Sequence, residues 1–235
     1  MAILASLSWL GCQAIDLIFP RYCIGCGREG FFLCSPCGNS FPRLEEPLCK
    51  SCGRPVDYPG FCADCRKNSP AADEIRSPFV FDGLTRTAIY RFKYRNMRTL
   101  AQPLAELMAG YIGANALQSD VIVPVPLHKH KLKVRGYNQA ELLARELGKL
   151  TGWAVAADVL VRLSDAVPQA RTSRAEERYR NVKDAFACKD DSLRDKNILL
   201  IDDVCTTGAT VNACAAVLKN LPAAAVRVLT VAREI

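Results

Sequence analysis

Residues 197–210 read N-I-L-L-I-D-D-V-C-T-T-G-A-T, an order of residue types that leaves few folds open. Four consecutive apolar residues, 198–201, suit a strand buried on both faces, as in a parallel sheet. Two carboxylates follow, Asp202 and Asp203. Then come a hydroxyl-rich turn, Thr206-Thr207-Gly208-Ala209-Thr210, and an Ala-rich helical run over residues 211–218. A loop between a strand's carboxyl end and a helix's amino end gathers free backbone N–H groups at the positive end of the helix dipole. That favours a bound phosphate. Gly208 lets the backbone approach closely, and the threonine hydroxyls add donors. Adjacent carboxylates at a strand end repel unless a cation or hydroxyl donors compensate them. Sugar hydroxyls and a Mg²⁺ ion would do both. The loop is not a P-loop, because Ala209 stands where a Lys would follow the glycine.

The second constraint is cysteine spacing. Eight of the 12 cysteines form four Cys-x-x-Cys pairs before residue 66, which is metal-ligand spacing rather than a secreted disulfide framework. Cys23-Ile-Gly-Cys26-Gly-Arg precedes Leu33-Cys34-Ser-Pro-Cys37, and Cys49-Lys-Ser-Cys52-Gly-Arg precedes Phe61-Cys62-Ala-Asp-Cys65. Each half supplies four thiolates, the number a closed structural Zn²⁺ site requires. Sequential pairing is the simplest arrangement: Cys23, Cys26, Cys34 and Cys37 on one zinc, and Cys49, Cys52, Cys62 and Cys65 on another. An interleaved cross-brace is the rival. Few large apolar residues occur here, so metal has to hold the region, and such sites can supply ~10–16 kcal/mol of folding free energy. Four thiolates leave no open position for a catalytic zinc. Redox chemistry lacks a thioredoxin-like setting. Of the remaining cysteines, Cys188 and Cys214 read as small packing residues, and Cys12 and Cys205 receive no chemistry.

The rest of the chain divides around these two features. The length of 235 residues, half of them hydrophobic, suits one larger domain and one small one. The boundary falls near Ser69-Pro70, giving 1–70 and 71–235. Residues 2–19 read as an amphipathic helix. A signal peptide is the rival and lacks a basic start. No later segment is apolar for long enough to span a bilayer, and the metal-ligand cysteine spacing points to a reducing compartment. Residues 84–112 read as helix, with a second start near Pro103. There Arg86, Arg91, Lys93, Arg95 and Arg98 interleave with Tyr90, Phe92 and Tyr94. Such interleaving can bind single-stranded nucleic acid, but a buried aromatic with a solvated basic face is the favoured reading. Residues 121–126 form a second buried strand. A basic loop containing His128 and His130 leads through Arg135-Gly-Tyr-Asn-Gln to an amphipathic helix ending at Gly152. Residues 159–163 form a short strand, and residues 226–231 end the sheet. Between them, residues 164–184 form a charged stretch suited to a mobile lid. The net charge of +7 admits an anionic partner.

The 198–210 stretch resembles the signature of type I phosphoribosyltransferases. Together with the cysteine pairs, Phe92-Lys93-Tyr94, Val123-Pro-Val-Pro126, Arg135-Gly-Tyr-Asn-Gln139, and Gln169 with Arg178 and Asn181, it makes the chain similar to the ComF family. The resemblance spans residues 23–210. It implies an α/β fold: a parallel sheet flanked by helices, preceded by a double zinc ribbon. It implies a pocket for 5-phosphoribosyl-1-diphosphate (PRPP), bound with Mg²⁺ by Asp202, Asp203, Val204, Cys205, Thr206, Thr207, Gly208, Ala209 and Thr210, with Arg135 and Asn138. The acidic pair would hold the ribose hydroxyls and the Thr-Gly loop the 5-phosphate. Arg135 would contact the diphosphate, backed by N–H groups around Leu127 and His128. Asp202, Asp203, Arg135 and Arg178 are the candidate catalytic residues. The resemblance also implies a cytoplasmic role near incoming single-stranded DNA, beside DNA-uptake or recombination proteins, and names no acceptor. Two classes of function stay open: an enzyme that transfers phosphoribose, and a PRPP sensor or single-stranded-DNA scaffold that kept the pocket.

Overall fold

The computed structural model describes residues 20–163, 185–221 and 223–235. Its strands are β1 (Glu74–Arg76), β2 (Phe79–Val80), β3 (Val121–Pro124), β4 (Ala154–Val155), β5 (Leu160–Arg162), β6 (Phe186–Cys188), β7 (Asn197–Cys205) and β8 (Ala225–Arg233). Short helices α1 (Ser35–Asn39) and α2 (Ala63–Lys67) lie in the cysteine-rich part. They are followed by α3 (Gly83–Tyr94), α4 (Ala101–Ala114), α5 (Lys129–Arg135), α6 (Gln139–Thr151) and α7 (Ala209–Lys219).

The main sheet runs β1-β8-β7-β3-β4, with β2 also against β8, and every pairing in it is parallel. Residues 198–201 of β7 are buried on both faces, as the unbroken apolar run requires. Leu199 and Ile201 share a core with Phe92, Leu104, Met108 and Leu143 from α3, α4 and α6. Ile198 and Leu200 face Val211, Cys214 and Leu218 of α7, with Leu160 and Phe186 of the antiparallel β5–β6 pair. Cys214 thus packs as a small apolar residue, and Cys188 lies at the edge of the same cluster.

Several expectations change in detail. β8 does not end the sheet. It lies between β7 and β1 and is almost wholly buried, because Leu229 and Val231 pack in the core on one face of the sheet and Val226 and Val228 in the core on the other. The basic stretch after β3 is not a loop. His128 caps α5, its Nδ1 accepting from the His130 N–H at 3.0 Å, and Gly136 closes the helix with φ 78°. The apolar spacing of α6 predicts Leu150 on its buried face with Leu143, Ala144 and Leu147, yet Leu150 is half exposed while the other three are fully buried. Gly152 does stop α6, in the left-handed conformation. The proposed N-terminal helix over residues 2–19, Cys12 and the proposed lid over residues 164–184 fall outside the described residues.

The cysteine-rich part is stitched to the sheet rather than tethered by a linker. Val80 N–H donates to the Pro42 carbonyl at 2.8 Å, and Leu44 N–H to the Pro78 carbonyl at 3.2 Å. This adds an antiparallel bridge, Arg43 with Phe79, at the outer edge. Phe41 meets Phe79 edge-on at 5.3 Å and, with Leu33, enters the main core. The second cysteine turn docks on β1. Ile75 N–H donates to the Ser51 carbonyl at 2.8 Å, and a Cβ at Gly53 would come within 2.4 Å of the Ile75 carbonyl oxygen. Gly53, at φ 69°, is therefore required both by its conformation and by the close approach.

Candidate functional site

β3 leads through α6 to β4 on one side of the sheet, and β7 leads through α7 to β8 on the other. Their carboxyl ends therefore open onto the switch point where strand order reverses, the usual place for a ligand in an open α/β sheet. β3 stops at Pro124 opposite Ile201, whereas β7 continues beside β8 to Cys205. The acidic pair is thus still in a strand on the β8 side and open on the β3 side.

At this point the side-chain alternation of β7 slips by one. Beyond the pair, Val204 packs with the cluster of Leu199 and Ile201, and Cys205 with that of Ile198 and Leu200. Asp203 N–H turns to its neighbour's carboxylate, donating to Asp202 Oδ1 at 2.8 Å. The Asp203 side chain is buried and pairs with Lys93 Nζ at 2.8 Å. Among the described residues Asp202 has no such partner. Burial, and then the charge of Asp203, push its carboxyl up to about 7, against the Asp203 N–H and the fields of Lys93 and Arg135. A cation or a set of hydroxyl donors placed here would relieve that cost.

Arg135 ends α5 and comes near enough to Asp202 to act on its ionisation. Its guanidinium donates to Gln139 Oε1 and stacks on Tyr94 at 5.1 Å from the ring centroid. Asn138 is bonded within the protein at both ends of its amide. Its Nδ2 donates to the Val125 carbonyl at 3.0 Å, while its Oδ1 accepts from the Ala140 N–H at 3.1 Å and caps α6. That fixes where the chain returns from β3 and aims Arg135. Tyr137 hangs the same turn on α3 through a hydrogen bond from its hydroxyl to the Phe92 carbonyl. The sequence reading did not place Lys93 in the site. Phe92-Lys93-Tyr94 carried a signal, but a surface lysine on a basic helix face has the same local pattern.

The loop at residues 206–210 lies at the amino end of α7. Thr206 and Thr207 are exposed, and Thr207 Oγ1 accepts from the Ala209 N–H at 3.3 Å. Gly208 sits at φ 80°. A Cβ there would find only ordinary contacts, Cys205 Sγ at 3.6 Å and Ile75 Cδ1 at 3.8 Å, so its backbone conformation rather than space calls for glycine. Arg178 lies outside the described residues.

The eight knuckle cysteines form two clusters in sequential pairing: Cys23, Cys26, Cys34 and Cys37, and then Cys49, Cys52, Cys62 and Cys65. In each, the sulfurs all lie within 4.8 Å of one another. The interleaved cross-brace is excluded. Backbone N–H groups point at the sulfurs, from Cys34 to Cys23 Sγ at 3.4 Å and from Cys62 to Cys49 Sγ at 3.3 Å. Burial opposes ionisation of Cys23 and Cys49, yet such donors hold both at about 6. Cys37 is pushed up to about 12, first by its hydrogen bond with Cys34. Four crowded thiols cannot all ionise without a cation, and these two sets fit zinc ribbons.

Fold and site together define a phosphoribosyltransferase-type α/β domain carrying a cysteine-rich double ribbon. The phosphoribosyl transferase domain family matches residues 94–235, and the chain belongs to it. A double zinc ribbon domain matches residues 14–66. The chain is similar to Competence protein F of Haemophilus influenzae, with 29% identity over 211 residues, covering 86% of this chain and 90% of that protein. Competence protein ComFC of Bacillus subtilis is 28% identical over 86% of this chain and 84% of its own length. DNA utilization protein YhgH of Escherichia coli is 28% identical over 86% of this chain and 91% of its own. These relatives bear out the resemblance to the ComF family. Among solved structures, the glutamine PRPP amidotransferase from B. subtilis aligns with a TM-score of 0.39 and 16% identity, over 55% of this chain and 26% of that one.

Proposed function

We propose that this chain is a PRPP-binding, phosphoribosyltransferase-like protein that acts in the uptake or handling of incoming DNA, in the cytoplasm. The observation that carries the reading is the Asp202–Asp203 pair at the switch point, flanked by Lys93 and Arg135 and followed by the Gly208 loop. The two carboxylates accept hydrogen bonds from the ribose hydroxyls. The N–H groups of residues 206–210 take the 5-phosphate. Arg135, steadied by Gln139 and Tyr94, faces the diphosphate, which Mg²⁺ accompanies. When the bond from C1 to diphosphate breaks, negative charge grows on the leaving group, and Arg135 is preorganised to meet it; Arg178 would join it. The chain divides by function at residue 70, with 1–70 as the ribbon module and 71–235 as the PRPP domain. Names borne by the relatives, competence protein and DNA utilization protein, support the biological setting. Among the described residues, no helix is long and apolar enough to cross a membrane.

A second reading, a PRPP sensor or scaffold on single-stranded DNA, is favoured by α3. Tyr90 and Tyr94 are both half exposed with rings 5.1 Å apart, and Arg86, Arg91 and Arg95 lie on the same helix or at its end. Bases stacking on such rings would lead to Tyr94 and so to Arg135. Incubation with Mg·PRPP and a single-stranded oligonucleotide, or with free bases, separates the readings. Diphosphate release supports transfer. Binding of both ligands without release supports the scaffold. No PRPP binding by calorimetry rejects both.

A further inference from the structure

Arg233 ends β8 and is only 1% exposed, and among the described residues no carboxylate lies within ion-pair distance of it. Its guanidinium reaches in two directions. Nη2 donates to the Cys52 carbonyl, within the second cysteine cluster, and Nη1 reaches the Thr206 carbonyl at 3.4 Å, at the start of the candidate phosphate loop. Nε has no partner. The surroundings join the same two places. Arg76 donates to the Cys49 and Lys50 carbonyls, Ser51 accepts from Ile75 N–H, and the Ile75 side chain lies beneath Gly208 beside Cys205 Sγ. The second cluster, β1, the end of β8 and residues 206–210 therefore form one continuous packed block.

A buried guanidinium with no counter-charge is costly, and hydrogen bonds to carbonyl oxygens compensate only in part. Two anions can complete the balance. Four thiolates around a divalent zinc leave a net charge of minus two, and a phosphate on the loop carries its own charge. Each would lower the cost of burying Arg233. Each would also hold the carbonyl that Arg233 grips, Cys52 on one side and Thr206 on the other.

We propose that Arg233 is a positioning residue that couples the second four-cysteine cluster to the phosphate loop, so that zinc in that cluster and PRPP on the loop stabilise each other. The proposal rests on the PRPP reading of the loop. Because linkage is reciprocal, it can be read from the zinc side without any assay of activity. Zinc release from the full chain to a chromogenic chelator is followed with and without Mg·PRPP. PRPP binding is measured by calorimetry, and folding by thermal melting, on the same preparations. The expected result is that PRPP slows release of one of the two zincs by about fivefold or more, the low end of ordinary coupling, and leaves the other unchanged. In Arg233→Gln this protection disappears while the protein still melts cooperatively. Arg233→Lys, which keeps the charge but not the fork, keeps only part of it. PRPP should not protect the Asp202→Asn, Asp203→Asn double variant, and protection there would show zinc chelation in solution and overturn the coupling. PRPP binding without zinc protection in the parent overturns it without any variant. Faster release from Arg233→Gln by the same factor with and without PRPP reduces Arg233 to a structural tie. No PRPP binding at all rejects the reading of the loop and the coupling with it.

Discussion

Asp202 and Asp203 are adjacent in sequence but sit in different electrostatic settings. Asp203 has Lys93 at 2.8 Å, whereas Asp202 is raised by burial and by its neighbour from 3.8 to about 7. A carboxyl raised in the folded state contributes stability that is complete below the unfolded value and is lost as pH rises through the folded one. The ligand-free protein should therefore melt at lower temperature as pH rises from about 4 to about 7, and Asp202→Asn should flatten that slope. On the proposed reading Mg·PRPP binds the ionised pair, so its affinity should strengthen over the same window, with proton release visible by calorimetry in buffers of different ionisation enthalpy. In the Asp202→Asn, Asp203→Asn double variant, two charged acceptors are lost, roughly 1.5–3 kcal/mol each. PRPP binding should then fall by orders of magnitude while the fold survives, and a double variant that binds like the parent would make the pair structural. Lys93→Ala should cost roughly 1–3 kcal/mol by leaving Asp203 buried without its partner. Adding Asp203→Asn should recover part of that loss in a double-mutant cycle.

At the scale of elements, two glycines at positive φ serve different ends. Gly208, at φ 80° with room for a Cβ, sets the turn that starts α7. Gly208→Ala should cost about 1–2 kcal/mol of backbone strain and weaken PRPP binding without unfolding the domain. Gly53→Ala would drive a Cβ to 2.4 Å from the Ile75 carbonyl oxygen, so the cysteine turn must lift off β1. Its melting temperature should fall further than that of Gly208→Ala, and a smaller fall would refute the docking. The strand, acidic pair, glycine loop and helix could be read in order from residues 197–219 because each rests on neighbours in sequence: an apolar run, a positive-φ turn, an Ala-rich stretch. α5 could not. Its lysines and histidines read as a solvated loop, and the structure shows a helix capped by His128 and closed by Gly136.

At the scale of the molecule, the two cysteine clusters differ in what they touch. Elemental analysis should find about two zinc per chain, one for each four-thiolate site, and Cys26→Ser and Cys49→Ser should each lose about one. Cys26 is exposed, and its cluster rests on α3 and α4 through Gly25 against Leu84 and Gly38 against Leu107. Cys49 is buried, in the turn stitched to β1. Only Cys49→Ser should therefore also weaken PRPP binding, and equal effects of both would remove the distinction. Read from spacing alone, Cys49→Ser is expected to unfold a module that stays apart from the pocket. The hydrogen bonds of residues 49–53 with residues 75 and 76 change that expectation. Residue types at short, fixed spacings determined the parallel strand, the loop that follows it and the eight thiolate positions, while the structure decided that they pair sequentially. Backbone geometry carries a side chain's consequences only a few residues along the chain. Lys93 against Asp203, Arg135 beside Asp202, and Arg233 between Cys52 and Thr206 join distant segments. Only the tertiary structure decided these contacts, because which charges meet in a buried place depends on strand order and helix packing.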